Sequence, residues 1–511
     1  MLTLSSSLRI VLTVALVGTL SIASAEDVVK ERPQANAAEH REAGKGVLRL
    51  LPGDAVTEHS IDTPRGKLAY TATAGTLAFY DQAGEQSASV FYTAYVAKNG
   101  SNGPSGSPNR PLTFVFNGGP GAASAFLHLG LVGPRILDFG PDFRDATRAN
   151  LRDNPDTWLA FTDLVLIDPI GTGWSRAAKS DDSKHFWSVR SDAEAMAKAI
   201  ALYVAKNNRT ASPKYLFGES YGGFRATKTA RALQNDQGIT ISGIIMLSPL
   251  LEGWLTFGDD QSALHAALQL PSLAAAELER RHAFSNEALA AAEKFAMSDY
   301  LVTLAGAPPR GEMAKPFFER VARISGLPVD AVTQARGFAA NAYVKTLRSN
   351  ENKIVSHYDA SFAVDDPYPE RRSSRAPDPI LDAISRGYGG AMASYARNEL
   401  GFKTEMTYSL LAGDVTSHWD WQGGRAQASV DDDLRVLLAY GPSFRLMIAH
   451  GYSDMITPYA MTRYILDHMP TFDPPGRAQL KLYRGGHMLY LDPQSRKAFT
   501  ADAAIFYRGT E

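Results

Sequence analysis

The 511-residue chain contains no cysteine. No disulfide can form, so stability has to come from a buried core. The same absence rules out a cysteine–histidine cluster, and the pattern H-E-x-x-H is missing too, so no metal is expected. "GTGWS" and "NGGPG" are rich in glycine but lack the lysine and the spacing of a phosphate cradle. No Rossmann or P-loop pattern sits between a strand and a helix, and no cofactor is expected. Charge of one sign never accumulates: the formal net charge is −2, without a long basic or acidic run. That argues against a nucleic-acid partner. There is no internal repeat and no low-complexity tract. After the first 25 residues no apolar stretch is long enough to span a membrane.

What is present is ordinary for a globular protein, with 45% hydrophobic and 21% charged residues. The length allows a large core and two or more folding units. Residues 1–25 combine Arg9, the apolar run "IVLTVALVGTLSIA" and the small-residue sequence "ASA" at Ala23–Ala25. This is the pattern of a signal peptide cut after Ala25. It leads to the expectation of a periplasmic or secreted protein with no membrane attachment after cleavage. Residues 26–61, charged and alanine-rich, read as a poorly ordered lead-in.

From there strands begin. "GKLAYTATAGTLAFYD" and "SASVFYTAYVAKNG" alternate around the turn patch "QAGEQ", which predicts an antiparallel hairpin. Asn99–Asn109 is a loop of Gly, Ser, Pro and Asn. Five apolar runs follow, in "PLTFVFNGGPG", "DLVLIDPIGTGWS", "KYLFGESYGG", "GIIMLSPLLEG" and "SFRLMIAHGYSD". Each is short enough for a strand buried on both faces. Between them lie helical patterns such as "SVRSDAEAMAKAIALYVAKN", where Ser191 and Glu194 are spaced for a capping box. Strands alternating with helices predict a parallel α/β sheet. Residues 253–405 are alanine-rich and helical in pattern, read as a cap inserted over one end of the sheet. The core is then split into residues 62–252 and 406–511.

"FGESYGG" carries the clearest chemistry. Gly218-Glu219-Ser220-Tyr221-Gly222 fits G-x-S-x-G between a strand and a helix, the setting of a nucleophile elbow. The turn forces the serine backbone into an unusual conformation and brings the flanking residues against neighbouring backbone, so glycine there is a steric requirement. A serine nucleophile needs a base, and the base an orienting acid, in the chain order Ser, Asp, His. His487, after two glycines in "YRGGHMLYLD", is the best base; His450 is its rival, while His418 and His468 lack a strand-end setting. Asp454, just past a buried strand, is the best acid; Asp414, Asp420 and Asp431–Asp433 compete, the last reading as a helix start. An oxyanion hole needs two backbone N–H groups. Tyr221 supplies one, and the bare loop Asn117–Gly121, "NGGPG", fits the other.

Together "FVFNGGPGAAS", "LIDPIGTGWS", "GESYGG", "HGYSDMITP" and "GGHMLY" resemble the serine carboxypeptidase family of α/β-hydrolases, in its bacterial form, from about Gly66 to the end. The resemblance implies Ser220 as nucleophile, Asp454 as orienting acid, His487 as general base, and Gly119 and Tyr221 as oxyanion donors. It also implies that Asn117, Gly118 and Glu219 bind the terminal carboxylate of a peptide substrate. A protonated Glu219 would donate to that carboxylate and an ionised one would repel it, so activity is expected to favour acidic pH. The sequence departs from the family at Val115, where a tryptophan is usual, and at Leu131, where a second glutamate shares the proton. Ala122 replaces the family's usual cysteine. The expected activity is that of a serine-type carboxypeptidase. An esterase or acyltransferase on the same scaffold is the alternative, and Leu131 is the residue that favours it. Trp254, Trp419 and Trp421 are readable as pocket lining or as core, with core the better reading.

Overall fold

The computed structural model describes residues 46–98, 109–140, 145–259, 261–307, 309–371 and 376–509. The expected signal peptide and most of the expected lead-in lie outside these residues. Nine strands make the path of the main sheet: β1 (Ala55–Thr63), β2 (Gly66–Tyr80), β3 (Gln86–Lys98), β4 (Leu112–Phe116), β5 (Asp163–Ile167), β6 (Lys214–Glu219), β7 (Gly243–Leu247), β8 (Arg445–Gly451) and β9 (Ala478–Tyr483). Their order is β1-β2-β3-β5-β4-β6-β7-β8-β9, and a two-residue strand, Arg176–Ala177, also pairs with β3. From β5 to β9 every pairing is parallel. β1, β2 and β3 join antiparallel at one edge, with β3 antiparallel to β5.

The five apolar runs are the five strands β4–β8. Their side chains divide by alternation, as a sheet covered on both faces requires. Phe114, Leu216, Ile244, Met246 and Ile448 enter one core. Val115, Phe217, Ile245, Leu247 and Met447 enter the other. The first face is covered by α1 (Val189–Lys206) and α2 (Tyr221–Gln237). Helix α3 (Ala263–Arg280) centres a third core in the insertion, packing with Phe318, Val321 and Tyr343. Helix α4 (Gly387–Asn398) lies on the second face of the sheet. Helix α5 (Asp431–Tyr440) returns to the first face, and α6 (Pro493–Arg508) closes the second. The insertion also sends Ile380, Ile384 and Met392 into the second core of the sheet.

Two local expectations change. The lead-in does not extend to residue 61, because Ala55–Thr63 forms β1 against β2. Only Ile61 of that strand is buried, so the backbone ladder and not an apolar pattern holds it. The capping box of α1 is made by Ser188 and Ser191. The Ser188 hydroxyl accepts from Ser191 N–H at 3.1 Å, and Ser191 returns a bond to Ser188 N–H at 3.3 Å. The aspartate run opens the first turn of α5, where its charge meets the positive end of the helix.

Candidate active site

Strand β6 ends at Glu219 and α2 begins at Tyr221, leaving Ser220 as the whole turn. Its backbone sits at φ 61° and ψ −127°, a region that costs a residue with a side chain about 1–3 kcal/mol. Neighbours hold it there: Ser220 N–H donates to Leu247 O at 2.9 Å, and Ser220 O accepts from Gly223 N–H and Leu250 N–H. The glycine requirement is steric, as expected. A methyl group on Gly222 would stand 2.6 Å from Phe116 O, and one on Gly218 would overlap Gly222 O.

The loop after β4 lies against this turn. A methyl group on Gly118 would stand 2.5 Å from Tyr221 N and 2.7 Å from Glu219 O. Gly119 is at φ 99°, which glycine adopts without penalty. Among the described residues no acceptor meets the N–H of Gly119 or of Tyr221, leaving both donors available. The loop is clasped from outside, where Ala412 N–H donates to Gly121 O at 2.7 Å and the Thr416 hydroxyl to Pro120 O at 2.6 Å.

Asp454 and His487 come from the loops after β8 and β9. Asp454 is fully buried, and its Oδ1 accepts from Ile456 N–H at 2.8 Å and Thr457 N–H at 3.1 Å. Its Oδ2 faces His487 Nδ1 at 2.9 Å. Burial alone would raise the Asp454 pKa; the charge and hydrogen bond of His487 outweigh it and hold the carboxyl below its ordinary range. Burial would lower His487, but Asp454 and Glu219 reverse the sign and raise it. With its Nδ1 proton toward Asp454, the ring keeps a lone pair on Nε2. His450 is excluded as the base. It is buried, with Nε2 at 2.8 Å from the Thr462 hydroxyl, and burial pulls its pKa down to about 4. His418 Nδ1 pairs with Asp414 O and the Ser417 hydroxyl, and His468 Nδ1 with Tyr464 O, all within their own turns.

The insertion contributes a strap that sequence reasoning missed. His357 O accepts from Met455 N–H at 3.1 Å, and Tyr358 O from His487 N–H at 2.6 Å. Ala360 N–H donates to Ser453 O at 2.8 Å, and the Ser453 hydroxyl to Asp359 at 2.6 Å. Four residues of the insertion thus tie the acid's loop to the base's loop.

Glu219, beside the serine, is buried. Asn117 Nδ2 donates to its Oε2 at 2.6 Å, while Asn117 Oδ1 accepts from Leu127 N–H at 3.1 Å. The Tyr490 hydroxyl donates to Oε2 at 3.1 Å and to Oε1 at 3.3 Å. Burial pushes the Glu219 pKa up to about 7, against the opposing effects of His487, Tyr490 and Asn117. Leu131 is fully buried and brings no second carboxyl. A cavity of about 600 Å³ opens here, lined by Ser220, His487, Glu219, Asn117, Gly118 and Gly119, with Tyr221 also in its wall. Phe126, Phe257, Tyr358 and Met455 give it apolar walls. None of the three tryptophans lines it. Trp419 is buried against Tyr221, with ring centroids 5.2 Å apart, and Trp254 is 48% exposed.

Residues 67–289 match the family model described as serine carboxypeptidase. The matched segment is less than half of the chain, and it is similar to that family. It holds Asn117–Gly121 and the Ser220 elbow; Asp454 and His487 lie beyond it and join the candidate site through the geometry above. Among curated proteins the chain is similar to serine carboxypeptidase-like 44 of Arabidopsis thaliana, 28% identical over 153 residues. It is 29% identical over 152 residues to serine carboxypeptidase-like 42 of the same plant. Each alignment spans 28% of this chain and 30% of the relative. Among solved structures it is similar to Kex1(Δ)p, a prohormone-processing carboxypeptidase from Saccharomyces cerevisiae. That likeness has a TM-score of 0.53 at 14% identity, and covers 86% of this chain and 91% of the other. At that identity it shows the α/β-hydrolase fold.

Proposed function

We propose that the protein is an exported serine carboxypeptidase that removes residues from the C-terminus of peptides. The observation that carries this reading is the convergence on one cavity of a strained Ser220, a His487–Asp454 pair and the Asn117–Glu219 bond. In the proposed reaction His487 Nε2 takes the Ser220 proton as Oγ attacks the last peptide carbonyl. The N–H groups of Gly119 and Tyr221 receive the oxyanion. Collapse breaks the C–N bond, His487 returns the proton to the leaving amine, and the C-terminal residue departs. Water then hydrolyses the acyl-enzyme by the same base. Asn117, Gly118 N–H and a protonated Glu219 hold the substrate's terminal carboxylate, which favours acidic pH. Export rests on Arg9, the apolar run after it and Ala23–Ala25.

Leu131 favours a second reading, an esterase or acyltransferase, because Glu219 has no carboxyl partner there. Both readings need Ser220. A fluorophosphonate probe is expected to add one label per chain, and Ser220→Ala is expected to abolish labelling and hydrolysis with little change in melting temperature. Labelling that survives in the alanine variant would disprove the nucleophile.

A further inference from the structure

Tyr490 is a member of the Glu219 network that the proposed reaction does not use. It lies three residues after His487, in the short turn Leu489–Leu491, and its side chain is 1% exposed. Its ring fills the space beside Gly130, where a methyl group would stand 2.5 Å from ring carbon Cε2. The stretch ending in Leu131 therefore makes room for a phenol where it offers no carboxyl of its own. The two Glu219 oxygens are held unequally. Oε2 accepts from both Asn117 at 2.6 Å and Tyr490 at 3.1 Å, while Oε1 receives only the longer Tyr490 contact of 3.3 Å.

We propose that Tyr490 is the positioning residue of the carboxylate site. With Asn117 it anchors Glu219 through Oε2 and leaves Oε1 as the oxygen that carries a proton and donates it to the substrate's terminal carboxylate. The inference rests on reading Glu219 as the group that meets that carboxylate. The other groups facing Glu219 are His487, Asp454, Tyr358 and Tyr388. Because the Tyr490 hydroxyl is a donor, it favours the ionised carboxyl. Removing it should let Glu219 keep its proton to higher pH.

The test compares pH profiles of kcat/KM for the wild type and Tyr490→Phe. One substrate is a blocked peptide with a free C-terminal carboxylate; the other is a simple acyl ester without one. For the peptide, the alkaline limb is expected to move up by roughly one unit in the variant, with KM changed more than kcat. The ester has no terminal carboxylate to meet Glu219, so its profile feels the variant only through the Glu219 charge near His487 and is expected to move less than the peptide's. A peptide limb that stays put or moves down overturns the proposal. If the phenylalanine variant does not fold, a fluorinated tyrosine placed at 490 decides. It is a stronger donor, so the limb should move down, and an unmoved limb overturns the proposal. A wild type that does not prefer the free acid overturns instead the reading of Glu219 on which the proposal rests.

Discussion

Burial pushes the Glu219 pKa up to about 7 from the ordinary 4.5, and that shift has a consequence for stability. Between roughly pH 4.5 and 7 the folded protein binds more protons at this site than the unfolded chain, so stability falls as pH rises through that window. Glu219→Gln removes the dependence. Unfolding free energies measured at pH 4.5 and 8 should show the wild type losing about 3 kcal/mol relative to the variant over that range. Parallel behaviour of the two proteins would contradict the buried-acid account. A glutamine amide also donates at any pH, so the same variant should keep its activity on free-acid peptides above pH 7, where the wild type declines. Ser220, Asp454 and His487 were legible because each stands at a strand end marked by nearby glycine. Tyr490 was not, since nothing near it in sequence separates it from a core tyrosine. Its partner Glu219 is brought to it by β6, 271 positions away.

At the scale of elements, the site depends on how the loop after β4 is held to α2. Arg225, in the second turn of α2, donates to Asn117 O and bonds Asp192 of α1 at 2.7 Å, with both side chains buried. It thereby fixes the peptide from which Gly118 N–H points. Arg225→Met leaves the Asp192 carboxylate buried and alone, at an expected cost of about 3–5 kcal/mol. Adding Asp192→Leu should recover much of that stability. It should not recover activity, which is expected to remain about 10- to 100-fold down because Asn117 has lost its anchor. Denaturation and kinetics on both variants check this; recovery of activity together with stability would show that the arginine acts through stability alone. The parallel strands were readable because two buried faces demand continuous apolar runs. β1 was not, because "AVTEHSIDT" buries one side chain and gains its order from pairing. The strap His357–Ala360 was hidden for a related reason. Three of its four residues act through backbone carbonyls and N–H groups, which any residues supply, and Asp359 alone acts through its side chain.

For the whole molecule, the absence of cysteine excludes disulfides, and the described residues form three hydrophobic cores, one of them within the insertion. The insertion also braces the candidate site, through the strap and through Tyr358 against His487, with ring centroids 5.1 Å apart. The composition gave no sign of this dependence, because a helical pattern says nothing of which backbone groups it lends to a neighbour. The proposed export is tested on the full chain. Protein recovered from outside the cytoplasm of an expressing bacterium should begin at Glu26, and intact mass measurement checks it. A mature chain that still carried residues 1–25 would contradict cleavage after Ala25.

The most direct test of the account uses two matched peptides, blocked at the N-terminus, one ending in a free carboxylate and the other in an amide. Release of the last residue is followed by mass spectrometry from about pH 4 to 8, with Ser220→Ala as control. Strong preference for the free acid, fading as pH rises through the Glu219 range, is the predicted result. Equal cleavage of both peptides, or cleavage of neither while simple esters are hydrolysed, would contradict it.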